Sequence, residues 1–298
     1  MKNQNIPTDI DTKTQEETAS SVSVDFPYRT DDCVFSKELG FFFPWHWHND
    51  VELFYIKKGE LQYLLPNGKY DFKTGDIGFI NANVLHATQV TNHKLCVQQE
   101  HIFLPSLLSG VLGSAIDRKY IQPLIKAQSA QIITIPSSHL DSQKMRTLMD
   151  RAFSAFGKQE TGFEIEIRES MSKLWLLFLK NVTDFTQAEK TNENDDRRIK
   201  SMLRFIEKNY ADNLTLEQIA EQAFISSREA NRCFNRQLGT SVFEYIIDLR
   251  IRHAQEQLRD TTQSITQIAL NCGFSTTSYF GKIFQKKTGM TPSEYRKK

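Results

Sequence analysis

The chain has 298 residues and is almost neutral, with 37 Lys+Arg against 36 Asp+Glu. Its 39% hydrophobic and 11% aromatic content suffices for a packed core, which excludes wholesale disorder, and its length suggests about two domains. Apolar runs such as Trp175-Leu-Leu-Phe-Leu179 fall far short of the roughly 20 residues that cross a bilayer, so no membrane partner is expected. The start, MKNQNIPTDIDTKTQEE, lacks the apolar centre of a signal peptide. Cys33, Cys96, Cys233 and Cys272 are scattered, unlike a disulfide framework or zinc cluster, and a reduced cytoplasm is the expected location.

Residues 1–24 are polar and aperiodic, and read as a flexible arm. From Asp25 the pattern becomes short apolar or alternating runs: Val51-Glu-Leu-Phe-Tyr-Ile56, Leu61-Gln-Tyr-Leu-Leu65, Tyr70-Asp-Phe72 and Ile77-Gly-Phe-Ile80. Turn residues separate them, and Asn67-Gly68 is a hairpin signal. Residues 25–136 are therefore assigned to an antiparallel β-barrel or sandwich. Helical spacing follows in 137–183. Leu140, Met145, Leu148, Met149, Ala152, Phe153 and Phe156 form one stripe; Phe163, Ile167, Met171, Leu174 and Phe178 form a second. Two helices so joined make a hairpin, which either completes a core or forms the surface of a homodimer. Residues 184–196, DFTQAEKTNENDD, read as a linker.

Neutrality conceals an asymmetry. Residues 197–298 hold 17 Lys/Arg and 10 Asp/Glu, whereas 1–196 hold 20 and 26. A basic C-terminal third points to a polyanionic partner. The same third contains a repeat: Ile219-Ala220 and Ser226 match Ile268-Ala269 and Ser275 at an offset of 49. Phe234, Gly239 and Glu244-Tyr245 match Phe284, Gly289 and Glu294-Tyr295 at an offset of 50. Each copy reads as a helix-turn-helix: a short helix burying Ile-Ala, an apolar turn residue (Ile225 or Phe274), a serine N-cap (Ser226 or Ser275), and a second helix ended by glycine. A long helix, about Val242–Arg259, joins the copies.

The segment Asn271-Cys-Gly-Phe-Ser, Ser278-Tyr-Phe-Gly-Lys-Ile-Phe and Lys287-Thr-Gly-Met-Thr-Pro-Ser-Glu-Tyr-Arg296 resembles the C-terminal signature of AraC/XylS transcription regulators. Arg250-Ile-Arg-His-Ala254 with Leu258 resembles that family's joining helix. The resemblance covers about 100 residues. It implies that residues 197–298 bind promoter DNA, with the second helix of each unit in the major groove. By position, Arg228, Asn231 and Arg232 face DNA in the first unit; Thr277, Ser278, Lys282 and, as a phosphate contact, Lys286 do so in the second. Gly281 leaves the second face short of side chains.

Gly40, His46, His48, Glu52 and Gly59, followed by Gly75, Asp76 and His86, resemble the cupin pattern. Its second motif is degenerate, with Asn81 and Asn83 where Pro and Gly are usual. His46, His48, Glu52 and His86 are thus expected to converge as an effector pocket. Three imidazoles and a carboxylate also suffice to ligate a divalent metal, although regulatory cupins commonly keep such residues without one. Trp45 and Trp47 alternate with the histidines and read as packing residues. The expected whole is an α+β, multidomain transcription regulator, an activator acting with RNA polymerase under a small-molecule effector, a sugar or related metabolite. A metal-dependent cupin enzyme fused to a DNA-binding module is the competing reading. It leaves the basic repeat without a role, and neither a catalytic triad nor a phosphate-binding glycine loop occurs.

Overall fold

The computed structural model describes residues 25–36, 41–127, 130–181 and 193–297. The arm 1–24, Gly40 and residues 184–192 of the expected linker lie outside them. The described residues form two compact units that divide between Thr191 and Asn192. None of their helices is long and apolar enough to cross a membrane.

The first unit is built on two antiparallel sheets. One orders β1 (Tyr28–Phe35), β8 (Cys96–Phe103), β3 (Val51–Lys58), β6 (Ile77–Ile80) and β9 (Ile132–Ile135). The other orders β2 (Phe42–His46), β7 (His86–Gln89), β4 (Glu60–Leu65) and β5 (Gly68–Lys73). The hydrogen bonds thus make a two-sheet sandwich rather than a closed barrel. The β4–β5 hairpin forms with Leu65 opposite Gly68, so its loop is Pro66-Asn67, one residue earlier than the Asn-Gly signal suggests.

Strand β3 explains the layering. Its residues Val51 to Ile56 are all buried, because both faces are covered. Val51, Leu53 and Tyr55 face a core shared with the helices, whereas Phe54 and Ile56 face a second core between the sheets. Helices α1 (Ser106–Ser109), α2 (Gln122–Ile125), α3 (Ser142–Lys158) and α4 (Phe163–Asn181) supply the first core. The α4 stripe Ile167, Met171, Leu174 and Phe178 is wholly buried there. It is therefore not the dimer surface that spacing alone allowed. In the α3 stripe Leu140 is 93% exposed and precedes the helix, which begins at Ser142.

The second unit is all-helical: α5 (Glu193–Asn209), α6 (Leu216–Glu221), α7 (Ser227–Leu238), α8 (Val242–Asp260), α9 (Ile265–Asn271), α10 (Thr277–Thr288) and α11 (Pro292–Arg296). Residues 193–196 are thus helical rather than linker. Their acidic composition misleads because Asp195 is buried, its carboxylate accepting from Arg236 of α7 and Arg198. Helix α8 is fastened by Arg250, which donates to the carbonyls of Tyr210 (2.7 Å) and Asp212 (2.8 Å).

His253 of α8 stacks on Tyr210, with ring centroids 4.0 Å apart, between Glu207 (3.5 Å) and Glu256 (3.2 Å). Burial alone would lower its basicity, but the two carboxylates outweigh it and raise the imidazole above its ordinary range. A raised folded-state pKa stabilises fully below the unfolded value, about 6.5, and that contribution disappears as pH rises through the folded value. The α5 and α8 amides should therefore exchange faster, after correction for intrinsic rates, at pH 8 than at pH 6. His253→Gln should remove this dependence and cost about 1–3 kcal/mol by leaving Glu207 buried without its cation. A pH-independent difference between the two proteins contradicts this.

Candidate functional site

In the first unit, His46 ends β2 directly opposite His86, which begins β7. His48 lies in the connection to β3, and Glu52 lies in β3 of the facing sheet. The four residues meet between the sheets, all nearly inaccessible. Ring centroids lie 4.1 Å apart for His46 and His86, 5.4 Å for His48 and His86, and 5.9 Å for His46 and His48. Glu52 Oε2 stands 3.3 Å from His86 Nε2 and 3.6 Å from His48 Nε2. Its other oxygen, Oε1, accepts from the Tyr63 hydroxyl at 2.5 Å. Burial pushes the Glu52 carboxyl up, but hydrogen bonding to His48 and His86 prevails and holds it well below the usual carboxylate range. Burial, reinforced by the neighbouring rings of His86 and His48, holds His46 well below the usual imidazole range, so that ring is neutral.

The degenerate second motif has a local explanation. Asn83 adopts φ 62°, the left-handed conformation that otherwise favours glycine. Asn81 Nδ2 donates to the Leu124 carbonyl at 2.9 Å and so ties this turn to α2. Trp45 and Trp47 are buried, as packing residues should be.

His46, Glu52 and His86 line a small cavity between the sheets, together with Arg29, Tyr63, Thr88, Gln98 and Glu100. These last five were missed from sequence. The available signal was strand alternation: Gln98, Glu100 and Ile102 fall on one face of β8, but polar residues occupy both faces, so no apolar pattern marks the inner one. Burial pushes Glu100 up to about 7, against the opposing influence of Arg29.

In the second unit, Ser226 caps α7 by accepting from the Glu229 amide, and Gly239 ends the helix at φ 66°. In the second copy the cap is Thr276, accepting from the Tyr279 amide, rather than Ser275. Ser275 is the extra residue that changes the repeat offset from 49 to 50. Ala230, Cys233 and Phe234 of α7, and Phe280 and Phe284 of α10, are buried. On the opposite faces Arg228, Arg232, Ser278, Lys282 and Lys286 are exposed, and Asn231 and Thr277 half-buried. A Cβ added at Gly281 would meet nothing within 4 Å, so that part of the α10 face is open. Each helix therefore presents a polar, largely cationic face one to three turns long, of a size to enter a major groove.

A sandwich with a polar internal cavity, joined in one chain to paired helix-turn-helix units, defines a ligand-sensing DNA-binding regulator. Residues 32–174 match the AraC-like ligand binding domain, and residues 219–298 match a helix-turn-helix domain family. The chain is 30% identical over 257 residues to the melibiose operon regulatory protein of Escherichia coli K12, covering 85% of this chain and 83% of that one. It is 25% identical over 277 residues to the Bacillus subtilis transcriptional regulator YdeC, covering 92% and 93% respectively. It is 25% identical over 256 residues to the Escherichia coli K12 transcriptional activator RhaR, covering 84% and 86%. The chain belongs to the AraC family of transcription regulators and, like these relatives, is a DNA-binding regulator rather than an enzyme.

The two turns differ in a testable way. Gly273 has φ 77°, and a Cβ there would lie 2.6 Å from the Ala211 carbonyl oxygen. Phe224, its counterpart, holds φ 54° with its ring 97% exposed. Gly273→Ala should cost well over about 1 kcal/mol, whereas Phe224→Gly should be neutral or stabilise by up to about 1 kcal/mol. Thermal unfolding that ranks the two variants the other way would show that the turns are misassigned.

Proposed function

We propose that the chain is an effector-controlled activator in which α7 reads bases, α10 mainly anchors, and the cavity at His46, His48, Glu52 and His86 takes the effector. The observation that carries this reading is the exposed face of α7, where Arg228, Asn231 and Arg232 follow at helical spacing opposite a buried apolar stripe. Arginine matches guanine O6 and N7, and asparagine matches adenine N6 and N7. On α10, Thr277, Ser278 and Lys282 flank the gap at Gly281, and Lys286 stands further along, suited to phosphate.

The polar lining of the cavity, with Arg29, Gln98 and Glu100, suits a small hydroxylated metabolite. The relative named for a melibiose operon supports a sugar or sugar-like effector. Such a regulator acts in the cytoplasm at promoter DNA with RNA polymerase. In a homodimer, the exposed α4 residues Ile165 and Leu176, rather than the buried stripe, would be available for a second copy.

The test uses the full chain on a site selected from random-sequence DNA. Arg232→Ala should cost about 1–3 kcal/mol on that site and relax preference at one base. Lys286→Ala should weaken selected and random DNA alike and make the salt dependence shallower by about one phosphate contact. Equal losses from both variants on both DNAs would overturn the division of labour between α7 and α10.

A further inference from the structure

The cavity between the sheets is lined by two carboxyl groups that are provided for unequally. Glu52 has both oxygens engaged: Oε1 accepts from the Tyr63 hydroxyl at 2.5 Å, and Oε2 lies 3.3 Å from His86 Nε2. Glu100 is almost as inaccessible, at 6% exposure, yet its Oε1 meets no donor. The Cys33 thiol that bonds to this carboxyl group is a weak donor. A buried acceptor left without a donor costs stability, whereas a ligand that donates to it recovers that cost on binding.

The charge around Glu100 is also unbalanced. Among the described residues that line the cavity, Arg29 is the one Lys or Arg. Burial raises Asp31, Asp50 and Glu100 alike, and at each of the three the Arg29 guanidinium opposes the rise. One guanidinium cannot neutralise three carboxylates, and His46, held neutral by burial, adds no positive charge. Burial thus keeps Glu100 up at about 7, and a cation set against it would bring it down. Phe35, Phe43 and Ile102 give the cavity an apolar side. Phe43 is the one lining residue that is not buried, so the cavity opens beside it. The space is small, so what reaches Glu100 is the end of a chain rather than a ring.

We infer that the effector is a cation, a small hydroxylated molecule with a primary ammonium group at the end of a slender chain, and that this group enters past Phe43 and donates to Glu100 Oε1. The inference rests on the function proposed above in one respect, that the cavity takes the effector. A primary alkyl amine is protonated at neutral pH, as the lysine side chain is, and carries three donors. One donor satisfies Glu100, and the charge offsets the excess of carboxylates over the single guanidinium. The methylene next to the nitrogen meets the apolar side at Phe35 and Phe43. A neutral polyol of the same length also offers a donor but leaves the charge unbalanced, so Glu100 sets the preference between the two.

The test is calorimetry of the full chain with matched pairs at constant pH and ionic strength: ethanolamine against ethylene glycol, 3-amino-1,2-propanediol against glycerol, and D-glucamine against D-glucitol. At least one amine should bind, about tenfold or more tightly than its alcohol, as a hydrogen bond to a charged group implies. Glu100→Gln keeps the shape and removes the charge; it should fold by circular dichroism, melt no lower than the wild type, and abolish the preference for the amine. Thr88→Leu fills the cavity from the other sheet and should block every ligand of the site. No binding by any amine overturns the inference, as does a preference for the amine that survives in Glu100→Gln. Alcohols that bind as tightly as amines, and are lost in Thr88→Leu, overturn the cationic effector but leave the cavity as its site. Amine binding unchanged in both variants overturns the cavity reading as well.

Discussion

The first unit depends on a carboxylate placed where an apolar residue would ordinarily lie. Glu52 is in the middle layer, on the face of β3 that also carries Phe54 and Ile56 into the core between the sheets. Removing an ion from water costs several kcal/mol unless its oxygens are satisfied. The surrounding strands are arranged to do so. Strand β4 brings Tyr63 to one oxygen, β8 brings Gln98, and the register of β2 with β7 sets His46 opposite His86 beside the other. A register slip of one residue in either strand would turn these side chains to the wrong face.

The opposite face of β3 has a different task. Val51, Leu53 and Tyr55 pack into the core with α3 and α4, and the Tyr55 hydroxyl donates to Asp150 of α3 at 2.6 Å. A single strand thus joins the polar cluster to the helical hairpin. The indole of Trp175 on α4 donates to the Tyr120 carbonyl at 2.8 Å, so the helical layer is also tied to the segment before α2.

Much of this was legible because local chemistry and global fold agree. The His-x-His spacing, Glu52 and His86 mark a cluster that the structure does bring together. The repeat marks both helix-turn-helix units, since the Ser226 cap, the buried Ile-Ala pairs and the terminal glycines are local signals; the second cap fell one residue later than the repeat suggests, at Thr276. What escaped was set by tertiary context. The apolar spacing of α4 is the same whether the stripe meets a sheet or a second chain, and only the position of the sheet decides it. Acidic residues 193–196 resemble a linker until Arg236 and Arg198 arrive to pair Asp195. Strand β9 follows a helical stretch and gains its identity from pairing with β6. Arg29, Tyr63, Gln98 and Glu100 belong to the cavity through strand order, which spacing along the chain does not encode.

The two halves of the account meet at DNA, because the pocket has regulatory meaning only if the helical unit reads a sequence. Two cationic helix faces, α7 and α10, occur in one short domain joined by α8, and paired helix-turn-helix units engage successive major grooves about one helical turn apart. Dimethyl sulfate protection of the full chain on its selected site reports guanine N7 in the major groove directly. The account predicts two protected patches separated by about 10 base pairs on one face of the duplex, with protection in one patch lost in Arg228→Ala. A single patch, or protection confined to the minor groove and unaffected by Arg228, would contradict it.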